Sequence, residues 1–342
     1  MHNDELYIRR AFDLALLGLG NVSPNPLVGC VIVHNNKVIG EGWHKKYGGA
    51  HAEVNAIDSV VDKGLLPEST VYVSLEPCAH FGKTPPCSDL LVRSGVKRVV
   101  ISNIDTNPLV GGKGVEKLED AGIEVVTGIL EREGLEINRR FFTGLKKGRP
   151  YIILKWAETS DGFVARKNYD SKWISNETSR KLVHKWRAEE DGIMVGPNTA
   201  YYDDPSLSVR DWTGRNPVRV VIDRKLRLPQ SLKLFDGSQP TICYNLSSNQ
   251  ESEGVKYVKL PDSNFLDELF LNLFEQNLRS VIVEGGAQLL NLLLEKGMWD
   301  EARVFVSPAK FIEGIEAPRI SGLVAEEIID TDKLLIYKNQ NG

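Results

Sequence analysis

The sequence predicts an α/β protein made of two successive domains. Three observations predict it. β-type apolar runs alternate with helical patterns through the first part of the chain. The alternation is interrupted by a basic, Gly-containing stretch at residues 138–150 and restarts at Tyr151. The 342 residues are enough for two separate cores. In order, residues 7–19 read as an amphipathic helix, and residues 29–33 as a strand turned at Asn35-Asn36 into Val38-Ile39-Gly40. A helix is expected from Ala52, a strand at Thr70–Leu75, and a helix over residues 88–93 closed by Gly95. A strand at 97–102, a helix near 115–121 and a short strand at 123–126 complete the first set. This βαβα order predicts a sandwich with partly parallel pairing. After the junction, strands are expected at 151–156, 192–196, 218–223 and Ser280–Glu284, and helices at 178–188, 265–274 and 288–292. In the 265–274 helix, Leu266, Leu269, Phe270 and Leu273 share one face. The polar stretch from Val195 through Pro197 and Asp203 to Pro205 reads as a surface loop.

Composition narrows the function classes. Hydrophobic residues make up 42% and charged residues 26%, the balance of a globular protein. The start, Met1-His2-Asn3-Asp4-Glu5, has no apolar core of a secretory signal, and no run is long enough to span a bilayer. Four cysteines are too few for a disulfide scaffold, which points to a reducing compartment and a cytoplasmic location. The net charge of −4, with Lys45-Lys46 and Arg139-Arg140 as isolated pairs among acids, gives no basic stripe for nucleic acid.

The chemistry concentrates at His51, Glu53, Cys78 and Cys87. The chain reads His51-Ala52-Glu53, then Pro77-Cys78, then Pro85-Pro86-Cys87. One imidazole and two thiolates suit a catalytic zinc with an open fourth position. Zinc lowers the pKa of water to about 7, and a carboxylate that is not a ligand, here Glu53, can shuttle protons to a ring nitrogen and a leaving amine. Zinc deaminases carry H-x-E followed by P-C-x-x-C; here the first half is intact and the second is stretched. His51 and Cys87 each fall at an expected helix start, where thiol pKa values are depressed. His80 is a decoy ligand, and His44 is expected to touch substrate or solvent. Cys30 and Cys243 sit in apolar runs and read as buried strand thiols. In the second half, Gly285-Gly286 between a strand and a helix could hold phosphate or simply form a turn, and no G-x-G-x-x-G is present.

At His51-Ala52-Glu53, across Pro77 to Cys87, and at the motifs around Val195 and Gly285, the chain resembles the bifunctional riboflavin biosynthesis family over nearly its full length. That family joins a pyrimidine deaminase to a pyrimidine reductase. The resemblance implies a cytidine-deaminase-like α/β/α sandwich over residues 1–147, followed by a dihydrofolate-reductase-like α/β domain over 148–342. It implies hydrolytic deamination of diaminohydroxyphosphoribosylaminopyrimidine, then NADPH reduction of the ribosyl group to ribityl, with Zn2+ and NADPH as cofactors. It places deaminase substrate contacts at Asn25, His44, Lys83, Asp105 and Asn107. NADPH contacts fall at Ala157, Trp173, Thr199 and Asp203 and at the run Gly286, Ala287, Gln288, Leu289, Leu290, Asn291 and Leu292. Reductase substrate contacts fall at Ser171, Arg187, Leu207, Arg210 and Glu284, with Arg187 and Arg210 suited to a phosphate. It further implies a small phosphorylated pyrimidine as partner, no nucleic acid, no membrane, and a homo-oligomer. The competing reading is a nucleotide or nucleic-acid deaminase with an appended non-catalytic nucleotide-binding domain. The chain departs from the family pattern at Thr159-Ser160-Asp161-Gly162 and at Ser307-Pro308-Ala309-Lys310-Phe311, where a Gly-rich continuation is lost.

Overall fold

The computed structural model describes residues 2–81, 85–106, 111–172 and 174–340. The chain divides into two compact units, Met1–Lys147 and Gly148–Gly342.

The first unit contains α1 (His2–Leu16), β1 (Gly29–His34), β2 (Lys37–Trp43), α2 (Ala52–Ser59), β3 (Thr70–Leu75), α3 (Cys87–Arg93), β4 (Arg98–Asn103), α4 (Lys113–Asp120), β5 (Glu124–Thr127), α5 (Glu131–Ile137) and α6 (Arg139–Lys147). The sheet order is β2-β1-β3-β4-β5. The β1–β2 and β1–β3 pairs are antiparallel, and β3–β4 and β4–β5 are parallel. Asn35 and Asn36 both take positive φ, 49° and 59°, the conformation a two-residue hairpin needs and asparagine tolerates. Alternation along the strands divides the core. Cys30 and Ile32 join Val71, Val73, Val99 and Ile101 under Ala52, Ala56, Leu91 and Leu118 of the helices on one face. Val31 and Val33 join Tyr72 and Val100 under Tyr7, Ile8, Ala11 and Phe12 of α1 on the other. A sheet buried on both faces, between two helical layers, is the α/β/α sandwich. The stretch expected as a junction is largely the helix α6: Phe141 and Phe142 are half-buried with rings 5.6 Å apart, and Lys146 and Lys147 stand at its C-terminal end, where cations suit the helix dipole.

The second unit contains β6 (Tyr151–Thr159), β7 (Phe163–Ala165), α7 (Glu177–Glu189), β8 (Gly192–Val195), α8 (Pro197–Asp203), β9 (Val218–Ile222), β10 (Thr241–Asn245), β11 (Gln250–Ser252), β12 (Val255–Lys259), α9 (Phe265–Glu275), β13 (Ser280–Glu284), α10 (Ala287–Glu295), β14 (Glu301–Ser307), β15 (Ile315–Glu316), β16 (Leu323–Ile329) and β17 (Asp332–Lys338). Its main sheet runs β11-β12-β10-β9-β8-β13-β6-β14-β17-β16, parallel from β12 to β14 and antiparallel at both margins. Ile152, Leu154 and Trp156 of β6 pack with Val281 and Val283 beneath α9 and α10, which supply Leu269, Phe270, Leu290 and Leu293. Tyr151, Ile153 and Ile282 face the opposite layer, with Val183 and Trp186 of α7. The segment expected as a surface loop folds as α8. Pro197 stands at its first position, where a missing N–H costs nothing, and only Ala200 is buried, so there is no apolar stripe to read. Where the sequence departs from the family pattern, the Asp161 carboxylate accepts from the Phe311 and Ile312 N–H groups, which holds the turn after β14.

Candidate active sites

His51 is the residue preceding α2, and Cys87 is the first residue of α3. Cys78 follows the end of β3. The His51 Nδ1 lies 3.6 Å from the Cys78 Sγ and 3.4 Å from the Cys87 Sγ, and the three ligand atoms all fall within 4.8 Å of one another. Tetrahedral zinc bonds, about 2.0 Å to nitrogen and 2.3 Å to sulfur, place such atoms about 3.5 Å apart. The donor set therefore fits zinc in both identity and spacing. The Cys87 N–H donates to the Cys78 Sγ at 3.3 Å. The Cys87 thiol, with the His51 ring and that N–H, holds Cys78 as a thiolate with a pKa of about 4, against the opposing effect of burial. The thiolate so formed, with burial, pushes Cys87 up. His80 is exposed and outside the cluster. Cys30 and Cys243 are buried strand thiols, both pushed up by burial, Cys243 to about 12.

Glu53 lies in the first turn of α2 and is only 3% exposed. Burial and the nearby Cys78 thiolate push its carboxyl up to about 7, so a proton can be gained or lost there near neutrality. The His44 Nδ1 is 3.0 Å from the Ala50 carbonyl, so it carries the proton and donates; Nε2 then accepts from the Asn25 Nδ2 at 3.1 Å. Burial lowers the His44 pKa and keeps that ring neutral. Its edge faces the His51 ring at 5.5 Å, so His44 and Asn25 stand beside the ligand cluster. Asp105 lies just beyond β4, at the same end of the sheet as Cys78 after the parallel β3, and donates its N–H to Glu76. Lys83 and Asn107 lie outside the described residues.

In the second unit, a cleft of about 600 Å³ opens at the ends of β8 and β13, beside Lys155, Trp156 and Ala157 of β6. Its lining includes Ala157, Ser171, Thr199, Asp203, Leu207 and Arg210. Arg187 and Glu284 line it too, as do Gly286 and Ala287 to Leu290 of α10. Asn291 and Leu292 lie outside that lining, one turn, about 5 Å, further along the α10 axis from the cleft-lining residues. Trp173 lies outside the described residues. Gly285 and Gly286 take φ of +87° and +76°, and a Cβ on either would stand 3.0 Å from Thr199 atoms. Both glycines are thus required by the turn itself, which leaves the start of α10 facing the cleft. The Ser171 hydroxyl donates to Asp203 at 3.3 Å, and burial raises the Asp203 carboxyl.

The cleft also contains a residue that the sequence reading missed. Lys155 is paired in register with Glu284 across the parallel β6–β13 ladder, and its Nζ is 3.9 Å from the Glu284 Oε2. Arg187 grips the same carboxylate with two bonds of 2.8 Å. Burial disfavours the Glu284 charge, yet Arg187 and Lys155 outweigh it and hold the carboxyl at about 2. The Arg187 fork, expected to meet a phosphate, is therefore committed to Glu284, with Nη1 on the Ser208 carbonyl. Arg210 is exposed, bonded to the Ser206 hydroxyl, and is the better placed of the two for an incoming phosphate. The lesson for sequence reading is the strand register, which would have paired a lone strand lysine with a strand-end glutamate.

Comparison with known proteins gives concordant matches for both units. Residues 1–103 match the cytidine and deoxycytidylate deaminase zinc-binding region, and residues 150–324 match the RibD C-terminal domain. The chain is 43% identical over 319 residues to the riboflavin biosynthesis protein RibD of Aquifex aeolicus, covering 91% of this chain and 89% of that one. It is 40% identical over 327 residues to RibD of Bacillus amyloliquefaciens, covering 93% and 87%. Among solved structures, it resembles a diaminohydroxyphosphoribosylaminopyrimidine deaminase/5-amino-6-(5-phosphoribosylamino)uracil reductase from Thermotoga maritima, with a TM-score of 0.91, 38% identity and 99% of each chain covered.

Proposed function

The chain belongs to the RibD family of riboflavin biosynthesis proteins and is a bifunctional enzyme, a zinc-dependent deaminase and an NADPH-dependent reductase; from that premise we propose that residues 1–147 carry hydrolytic deamination of diaminohydroxyphosphoribosylaminopyrimidine and residues 148–342 carry reduction of the ribosyl group to ribityl. The observation that supports it most is the His51, Cys78 and Cys87 triad with a buried, proton-exchanging Glu53 beside it. A nucleotide or nucleic-acid deaminase with a non-catalytic appendage is not favoured, since the second half belongs to the reductase family.

His51, Cys78 and Cys87 would hold the zinc, which when bound supplies hydroxide from water near neutral pH. The Glu53 carboxylate takes one proton from the attacking water and gives it to the ring nitrogen, then takes the remaining proton of the added hydroxyl and gives it to the departing amine, which leaves as ammonia. Neutral His44 fixes the Asn25 amide, and Asn25, His44 and Asp105 orient the ring. In the reductase unit, the turn Gly285-Gly286 and the start of α10 present N–H groups to the cofactor's phosphates, with Thr199 packed against the turn. NADPH when bound supplies the hydride. Glu284, kept ionised by Arg187 and Lys155, accepts from substrate hydroxyls, and Arg210 meets the phosphate. Ala157, Ser171, Asp203 and Leu207 shape the cleft. Nucleic acid is not a partner on this reading, which the scattered Lys and Arg support. No helix among the described residues is long and apolar enough to cross a membrane. A cytoplasmic homo-oligomer completes the proposal.

Two experiments test this reading. With the diamino substrate and NADPH together, purified protein is expected to release ammonia and consume NADPH in equal amounts. Ammonia release without NADPH consumption overturns the reductase assignment. Separately, Cys87→Ser is expected to lose zinc and cut deamination at least about 100-fold, while the deaminated intermediate is still reduced at the parental rate. Zinc retained in full by that variant would remove Cys87 from the ligand set.

A further inference from the structure

We propose that Glu76 is a positioning residue of the deaminase site: its carboxylate ties the backbone at Asp105 to that at Gly112, Gly114 and Val115 and sets where Asp105 stands relative to the metal ligands. The inference rests on the reading that Asp105 contacts the deaminase substrate. Glu76 is only 8% exposed and directly precedes Pro77-Cys78. Its Oε2 accepts from the Asp105 N–H at 3.1 Å and the Gly112 N–H at 3.0 Å. Its Oε1 accepts from the Gly114 N–H at 2.8 Å and the Val115 N–H at 3.4 Å. Its own N–H donates to the Asn103 carbonyl at 2.9 Å, which ties it to the end of β4.

One carboxylate thus gathers backbone donors from Asp105, just beyond β4, and from the start of α4. A buried carboxylate that is acceptor-only suits four converging N–H groups, and such bonds are about twice as strong as neutral ones. No other side chain does this as well. A glutamine would turn an NH2 group toward two of those donors and leave them unpaired. The packing is equally specific. A Cβ on Gly114 would stand 2.1 Å from the Pro77 carbonyl oxygen and 3.1 Å from the Glu76 Oε1, so only glycine lets α4 close on the ligand-bearing segment. The four bonds of the Glu76 carboxylate all go to backbone N–H groups, so its effect on the reaction passes through the backbone it holds.

A positioning role separates KM from kcat. Glu76→Gln is expected to raise KM for the diamino substrate about tenfold and to change kcat less than about threefold, with zinc content unchanged. Glu76→Asp, which keeps the charge, recovers part of the KM. Reduction of the deaminated intermediate by the same preparation, at the parental rate, reports that the chain is folded. Gly114→Ala approaches the same segment without removing the carboxylate and is expected to raise KM in the same direction. An unchanged KM in both Glu76→Gln and Gly114→Ala overturns the proposal. So does a loss of zinc, or a fall in kcat alone, which would place Glu76 with the ligands or the proton transfer. Loss of the reductase activity as well would make Glu76 a general determinant of folding and would overturn it too. Asp105→Ala is the separate check on the underlying reading: an unchanged KM there removes Asp105 from the substrate contacts, whatever Glu76→Gln does.

Discussion

Glu53→Gln is expected to retain zinc and to lower the kcat of ammonia release roughly 10²- to 10⁴-fold, the range of a lost general acid–base. The amide has the same shape as the acid and fits the same buried position in the first turn of α2. It cannot accept and return a proton, and the reaction needs both at a ring nitrogen and at a leaving amine. Glu53 is not one of the three clustered ligands, His51, Cys78 and Cys87, so the substitution leaves all three donor atoms in place. The checks are metal content by elemental analysis and ammonia release at saturating substrate. Wild-type turnover by the variant sinks the shuttle role. A variant without zinc shows instead that Glu53 serves the ligand set. The reductase unit is the internal control, because nothing in its cleft involves Glu53.

That prediction could be made from sequence because the deaminase signal is local. His51 and Glu53 are two residues apart, Pro77 adjoins Cys78, and each ligand lies at a strand end or helix start that β-type alternation and helical period reveal. The strands of the first sheet, and β6, β8, β9, β10 and β13 of the second, were legible for the same reason: their buried runs are short, apolar and bounded by turn residues; β11, β12, β14, β16 and β17 were not read. What was not legible depends on contacts distant in sequence. Glu76 reads as an ordinary polar residue after a strand, and its four donors come together only when the end of β4 and the start of α4 close on it. Lys155 reads as a lone cation in an apolar strand, and only the parallel register of β6 and β13 brings it to Glu284. Arg187 was legible as a functional cation but not in its partner, because an ion pair and a phosphate contact require the same residue type. α6 and α8 were missed because their buried faces are too narrow to impose a period.

The largest effect expected in the reductase unit follows from Glu284. Glu284→Gln is expected to abolish most NADPH oxidation, at least about 100-fold, and to destabilise the protein by about 3–5 kcal/mol, the cost of removing one partner from a buried pair. The magnitude comes from what is left behind. Arg187, mostly buried, keeps at most one of its two 2.8 Å bonds and meets an amide NH2 in place of the other, and Lys155 loses its counter-charge at 3.9 Å. Burial already lowers the Lys155 pKa against the opposing charge of Glu284; without that charge, burial and the Arg187 guanidinium both favour the neutral amine. Lys155→Met should cost less, because the shorter, bidentate Arg187 bonds carry most of the pair. The effect has a pH signature. The Glu284 carboxyl is held at about 2 in the folded protein, below its ordinary value of 4.5, so the stabilisation is fully present above about 4.5 and is lost as pH falls toward 2. The stability gap between wild type and Glu284→Gln, measured by denaturant unfolding across that window, should therefore be widest at neutral pH and close on acidification. A gap that stays constant with pH, or a variant that still oxidises NADPH at the parental rate, would show that the carboxylate is neither the anchor of this cation pair nor the substrate's acceptor. Deaminase activity retained by Glu284→Gln would confine the loss to the reductase cleft and exclude general unfolding as its cause.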